Sequence, residues 1–212
     1  PSMRAWGNEG KFNYMVLDLL GNSIEEKLNN CGGTFELQTV IHIGLQIILH
    51  ITEIHSRGII HRDIKPSNFM FGNNSQDNII YIIDFGLAKA YMNKNQHVER
   101  RAGMSVIGTP RFISLNVHNG ITPSRRDDLE SLGYILIYLL LGVLPWKGYY
   151  CQNEYENRNK IGEIKKNLDL LKFSKENNIP EEFILFIEYC RNLNYEQTPN
   201  YLYLTNLLTR VI

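Results

Sequence analysis

Apolar positions along this chain recur with two different periods. Residues 12–17 read Phe-Asn-Tyr-Met-Val-Leu, an aromatic and β-branched run after the turn-like Gly7, Asn8, Glu9 and Gly10, which predicts a strand. Ser23 followed three residues later by Glu26 is a capping box and predicts a short helix. Leu37, Val40, Ile41, Leu45, Ile48, Ile51 and Ile54 then recur at spacings of three and four. That pattern predicts an amphipathic helix of about six turns, stopped by Gly58. Residues 59–60 and 68–71 are too short for helices. Residues 78–83 (Asn-Ile-Ile-Tyr-Ile-Ile) read as a strand, and the polar stretch 72–77 between them reads as a hairpin loop.

Residues 89–125 show no sustained period and carry Gly103, Gly108, Pro110, Gly120 and Pro123. A long irregular segment inside a compact domain is usually functional or disordered. Residues 127–141 predict a core helix. After Pro145 and Trp146 the chain turns polar and Asn-rich, then predicts helices near 160–168, 180–192 and 199–210, with Pro180 and Pro199 in their first turns. There is no internal repeat and no linker. A helix-rich chain whose few strands all fall in its first half is of the α+β class.

Composition narrows the functional classes. The 212 residues suit one large domain, or one domain with a piece of a second, and 43% hydrophobic with 21% charged residues argues against a disordered chain. Lys+Arg and Asp+Glu both number 22, for a net charge of zero. That balance removes the strongest reason to expect a nucleic-acid or anionic-membrane partner, although it allows a local basic patch. The longest apolar run, 132–146, contains Pro145 and falls short of the about 20 residues a membrane span needs, so no membrane span is expected. Cys31, Cys151 and Cys190 lack any C-x-x-C spacing and fit a reducing compartment, so the expected location is intracellular, in cytoplasm or nucleus. His50 and His55 lie five apart on a predicted helix, on different faces, which argues against zinc.

Chemistry concentrates in two places. His61, Arg62, Asp63, Lys65 and Asn68 form H-R-D-x-K-x-x-N between the first long helix and the predicted hairpin. Asp84, Phe85 and Gly86 form D-F-G directly after the strand at 78–83. Either piece alone is a turn-former's sequence. Together, in this order and between these elements, they carry information.

On these motifs the chain resembles a eukaryotic-type protein kinase, above all its large C-terminal lobe, with closer similarity to the casein kinase I family. The marks stand at 15–28, 61–72, 82–91 and 124–148, and Ser114-Leu115-Asn116 occupies the place of the usual A-P-E. The resemblance implies a protein-kinase-like fold: residues 1–20 as remnants of small-lobe strands plus the hinge, and 21–212 as a mainly helical large lobe with short β-hairpins. It also implies ATP and Mg²⁺ as cofactors, and transfer of the γ-phosphate to protein Ser/Thr. Asp63 would accept the substrate hydroxyl's proton, and Lys65 would face the transferring phosphoryl group, as in Ser/Thr rather than tyrosine kinases. Asn68 and Asp84 would offer hard oxygens to Mg²⁺, with Gly86 lending the following turn its freedom. Leu17 would be the gatekeeper, the main-chain groups of Asp18 and Leu20 would face the purine edge, and Met70 and Ile83 would floor the ring. His61 is expected to be a packed structural residue, Arg62 an anion clamp for the irregular loop, and Asp128 the anchor of the catalytic loop's backbone.

On the substrate side, Thr109 and Arg111 match the family, which favours acidic or already phosphorylated substrates. Arg100, Arg101, Arg125 and Arg126 extend a basic neighbourhood. The basic stretch expected after Trp146 reads Gln-Asn-Glu-Tyr-Glu-Asn-Arg from Gln152 to Arg158, so the family's lysine has no counterpart. By a gap-free count its place falls on Asn157, with Arg158 as a candidate helper. The sequence holds no Gly-rich phosphate loop and no V-A-I-K lysine, Lys11 being misplaced for that role, and it opens on Pro1. The expectation is a processed or partial stretch of a longer kinase, inactive alone, with Phe12, Tyr14 and Val16 left uncovered on one strand face. Two other classes stay open: a pseudokinase or scaffold that uses the lobe for docking, and a nucleotide-binding module that is not a kinase.

Overall fold

The computed structural model describes residues 1–73, 77–94, 96–148 and 153–212. Cys151, Gln152 and the middle of the loop at 72–77 lie outside them. The chain opens with an antiparallel hairpin, β1 (Met3–Glu9) and β2 (Phe12–Leu17). The second strand is the expected one. The first was hidden by Gly7, Asn8 and Glu9, which read as a turn but pair with Tyr14, Asn13 and Phe12. Phe12, Tyr14 and Val16 are exposed as expected, and so are Trp6 and Met15 on the opposite face.

Ser23 caps α1 (Ile24–Asn30): its Oγ accepts from the Glu26 amide at 3.2 Å, while Glu26 accepts from the Ser23 amide at 2.7 Å. Helix α2 (Leu37–Ser56) stops where Gly58 takes φ +77°. Among the described residues it is the one helix long and apolar enough to cross a membrane by length and composition. Its apolar face lies instead in the core, packed on α4 and α8.

Short strands follow. β3 (Ile59–Ile60) pairs with β6 (Lys89–Ala90), β4 (Phe69–Phe71) with β5 (Ile80–Ile82), and β7 (Met92–Asn93) with β8 (Gln96–His97). Two side chains of α2 hold the outer edge of β5. Gln46 donates to the Asn78 carbonyl at 3.0 Å and accepts from the Ile80 amide at 2.9 Å, and His50 Nε2 lies 2.6 Å from the Ile80 carbonyl. The strand that leads to Asp84 is thereby fixed to the core.

After α3 (Leu115–His118), helix α4 (Arg125–Leu141) runs through the centre of the molecule and is buried along most of its length. α5 (Glu154–Asn167), α6 (Leu170–Glu176), α7 (Glu181–Asn192) and α8 (Tyr201–Thr209) complete the body. α5 begins earlier than its sparse apolar positions suggest, and α6 was too short and polar to register. Pro180 is the residue before α7 and Pro199 precedes Asn200, the cap of α8, so neither proline lies inside its helix's first turn.

Candidate active site

The loop between β3 and β4 is held by one carboxylate from the core helix. Asp128 accepts from the amides of His61 at 2.7 Å and Arg62 at 2.9 Å, and from His55 Nε2 at 3.0 Å. Burial alone would raise its pKa; the bond from His55 and that from the His61 amide override it and hold the carboxyl below its ordinary range. His55 continues to Tyr201 on α8, 2.9 Å from Nδ1, and its carbonyl accepts from the Tyr91 hydroxyl. His61 is fully buried, with Nε2 3.1 Å from the Ile83 carbonyl and its ring 5.2 Å from that of Phe85. Its structural reading stands.

Asp63, 7% exposed, is the hub of the loop. One carboxylate oxygen receives the Lys65 ammonium at 2.7 Å and the Asn68 amide nitrogen at 3.3 Å. The other accepts from the Thr109 amide at 3.1 Å and hydroxyl at 2.9 Å. Asn68 also donates to the Asp63 carbonyl at 2.9 Å, which commits its nitrogen and leaves Oδ1 as the atom that can bind a cation. The Asn68 carbonyl accepts from the Ile83 amide at 2.9 Å, so the loop and the strand leading to Asp84 are stitched one residue before the second acid. The exposed Asp84 carboxylate has one oxygen accepting from the Gly86 amide at 3.1 Å. Two hard oxygen donors on adjoining backbone segments suit a small divalent cation such as Mg²⁺.

One expectation is corrected here. The left-handed residue of this turn is Asp84 itself, with φ +61°, and Gly86 does not take that conformation. What Gly86 supplies is room: a Cβ there would sit 3.0 Å from the Asp84 oxygen. Gly108 is where a glycine is obligatory, since it has φ +97° and its added Cβ would meet the Arg62 carbonyl at 2.6 Å. That close approach lets residues 108–111 lie against the catalytic loop.

Leu17 ends β2 and is partly exposed. The Asp18 amide donates to the Ser2 carbonyl at 3.1 Å, and its carboxylate binds Arg4 and the Ser2 nitrogen. Gly21, just past Leu20, donates to the Phe71 carbonyl at 2.8 Å, and Ser23 bridges to Met70, so the segment after β2 is tied to the β4–β5 hairpin. Met70 and Ile83 are half-buried on that hairpin.

A groove of about 480 Å³ adjoins Asp63, lined by Lys65, Thr109, Arg111, Lys147, Asn157 and Glu25 among others. Arg111 lies 4.0 Å from Glu25 and over the ring of Tyr138. The other arginines do not join it. Arg101, Arg62 and Lys89 line a separate 240 Å³ cavity, Arg125 stacks on Tyr91 and binds the Glu196 carbonyl, and Arg126 is buried against the Leu193 carbonyl. Arg158 donates to the Val106 carbonyl at 3.3 Å. The basic neighbourhood of the sequence is therefore several unrelated sites.

Sequence reasoning missed the support beneath the groove. Lys165 on α5 is fully buried, 2.9 Å from the Pro110 carbonyl and 2.7 Å from the Ile113 carbonyl. Glu130, equally buried, accepts from Tyr134 at 2.5 Å, from the Leu115 amide at 3.1 Å and from Arg191 at 3.3 Å. A lysine and a glutamate in helical sequence read as surface residues, and only the Glu130–Tyr134 spacing of four hinted otherwise.

A buried aspartate, Asp63, held to a lysine, an asparagine and a threonine, with a second acid just past the adjoining strand, is an arrangement suited to phosphoryl transfer. The family model described as protein kinase domain matches residues 3–206, and the chain belongs to that family. Protein kinase domains generally use ATP and Mg²⁺ and act on protein substrates.

Proposed function

We propose that this site transfers the γ-phosphate of ATP to serine or threonine in proteins, in the manner of casein kinase I. The observation that carries the reading is the Asp63 hub, bonded to Lys65, Asn68 and Thr109. A substrate hydroxyl taking the place of the Thr109 hydroxyl at Asp63 would give up its proton there. The Lys65 ammonium, 2.7 Å from the same carboxylate, would face the phosphoryl group in flight. Asn68 Oδ1 and the Asp84 carboxylate would hold Mg²⁺, which neutralises phosphate charge when bound. Asp128, through two amides, keeps Asp63 aimed without touching substrate. Leu17, the main chain of Asp18 and Leu20, and the side chains of Met70 and Ile83 are the proposed purine contacts.

The lysine two residues after Asp63 and the Ser114-Leu115-Asn116 triplet support the Ser/Thr and casein kinase I assignment. Ser114 caps α3 and donates to Asp127 at 2.5 Å. The test is phosphorylation of serine peptides by the protein at its native length, with Asp63→Asn and Asp84→Asn. Loss of the general base is expected to lower kcat by about 10²–10⁴-fold, and loss of the metal ligand to abolish turnover. Near-parental turnover in Asp84→Asn would overturn the metal assignment. Nucleotide binding without any turnover in the unaltered protein would favour a scaffold instead.

Substrate choice follows from the groove. Arg111 is its anion-binding arginine and Asn157 lines it where the family carries a lysine. A charge-assisted bond to phosphate is worth about 1.5–3 kcal/mol, so one missing lysine weakens preference for phosphorylated peptides by roughly tenfold or more. Asn157→Lys should sharpen that preference and Arg111→Ala erase it, read as kcat/KM for one peptide with and without an upstream phosphate. An unchanged ratio in both variants would show that this groove does not read phosphate.

A further inference from the structure

The most unusual group outside the catalytic loop is the Lys165 ammonium. It is fully buried, and its bonds go to two carbonyls of one short segment, Pro110 and Ile113. It also lies over two aromatic faces, 4.6 Å from the Tyr134 ring centre and 4.9 Å from that of Trp146. Trp146 reaches the same segment, donating from Nε1 to the Arg111 carbonyl at 2.9 Å. Three of the four carbonyls between 110 and 113 are thus gripped from beneath by side chains of α5 and the loop after α4.

Burying a charge is costly, and an apolar side chain of similar volume is often cheaper in a core. Glu130 does not receive the ammonium; its oxygen serves Tyr134, Leu115 and Arg191. The Phe112 and Ile113 amides already bond to the Thr109 carbonyl, and both side chains are buried. What Lys165 adds that an apolar residue cannot is a strong, directed hold on the segment's carbonyls. At its catalytic end the segment is tied by Thr109 to Asp63, and at its far end by Ser114 to Asp127. Between those ties Pro110, Arg111 and Phe112 line the groove beside Lys65.

Resting on the reading of that groove as the peptide site, we infer that Lys165 is a positioning residue for the protein substrate, holding segment 110–113 as the floor against which the peptide docks. It touches neither substrate nor nucleotide. Its effect should fall on peptide binding and leave the ATP site alone.

The test uses Lys165→Met, an unbranched apolar side chain one atom shorter that removes the donors. Amide hydrogen exchange is followed by mass spectrometry, and KM and kcat are measured separately for peptide and ATP. Exchange across 109–113 should accelerate about tenfold or more while amides of α2 stay unchanged, and the peptide KM should rise by a similar factor at constant ATP KM. Unchanged exchange at 109–113, equal acceleration throughout, or joint elevation of both KM values would overturn the inference. If the unaltered protein phosphorylates no peptide, the kinase reading fails, and the exchange measurement alone decides whether Lys165 holds this segment. Should Lys165→Met not fold, Lys165→Gln, which keeps two of the three N–H donors on a shorter, uncharged side chain, takes its place. Failure of both to fold would assign Lys165 to stability alone and overturn the inference.

Discussion

Asp128 shows how much one side chain can carry. Replacing it with alanine would strand the His61 and Arg62 amides and the His55 ring inside the core. Breaking a buried charged network in this way costs about 3–5 kcal/mol, and Asp128→Ala should unfold at correspondingly lower denaturant; an unchanged midpoint would refute the anchor. His118 sets a different dependence. Burial first, then the Lys165 charge, push its pKa from 6.5 to about 3. Between those values the unfolded chain binds a proton that the folded protein does not, so stability falls as pH drops below 6.5. Asp127, raised by burial from 3.8 to about 6, works in the opposite sense between those two values, because there the folded state holds the extra proton. The two groups offset each other near pH 5. Removing only His118, as in His118→Gln, should therefore make the protein gain on its parent as pH falls from 7 to 5, read as the difference in Tm. Parallel Tm profiles would show that His118 is not the source. At this scale the motif residues were legible because Asp63, Lys65 and Asn68 are neighbours in sequence as well as in space. Lys165, Glu130 and His118 were not, since their roles depend on burial among elements far apart in the chain. The left-handed conformation at Asp84 was not legible, because glycine, not aspartate, is its usual occupant.

Among the elements, those with a full apolar period were legible and those without were not. α2 and the start of α1 follow from spacing and capping. α4 is buried on nearly every side, so it shows a continuous apolar run where a surface helix would show a stripe. The two-residue strands β6 to β8 are too short for any pattern, and β1 was masked by its polar tip. Packing between α4 and α7 carries its own prediction. Gly133 faces Ile187, and a Cβ there would lie 2.4 Å from the isoleucine's Cγ1. Alanine raises helix propensity by about 1 kcal/mol over glycine, but overpacking of this kind costs about 1–3 kcal/mol. Gly133→Ala should therefore be neutral to destabilising in spite of its propensity. A clear rise in Tm would mean that α7 yields at this crossing.

For the whole molecule, the opening hairpin stands apart from the body. Phe12 is 77% exposed and Trp6 75%, one on each face, and Tyr14, Met15 and Val16 continue both apolar surfaces. With no net charge to oppose contact, contiguous exposed apolar side chains favour association. Sedimentation velocity of the 212-residue chain should show mass rising with concentration, and Trp6→Lys with Phe12→Lys should suppress the rise. A parent chain that stays monomeric at all concentrations would contradict this. The body has a different consequence, one of timing. The catalytic loop rests on Asp128, Asp128 on His55, and His55 on Tyr201, which lies 146 residues further along the chain. During synthesis every residue of the loop's motif leaves the ribosome long before its last support does. A nascent chain halted before α8 would thus carry the complete motif with its brace unfinished, so the order of manufacture itself delays the assembled site until α8 arrives.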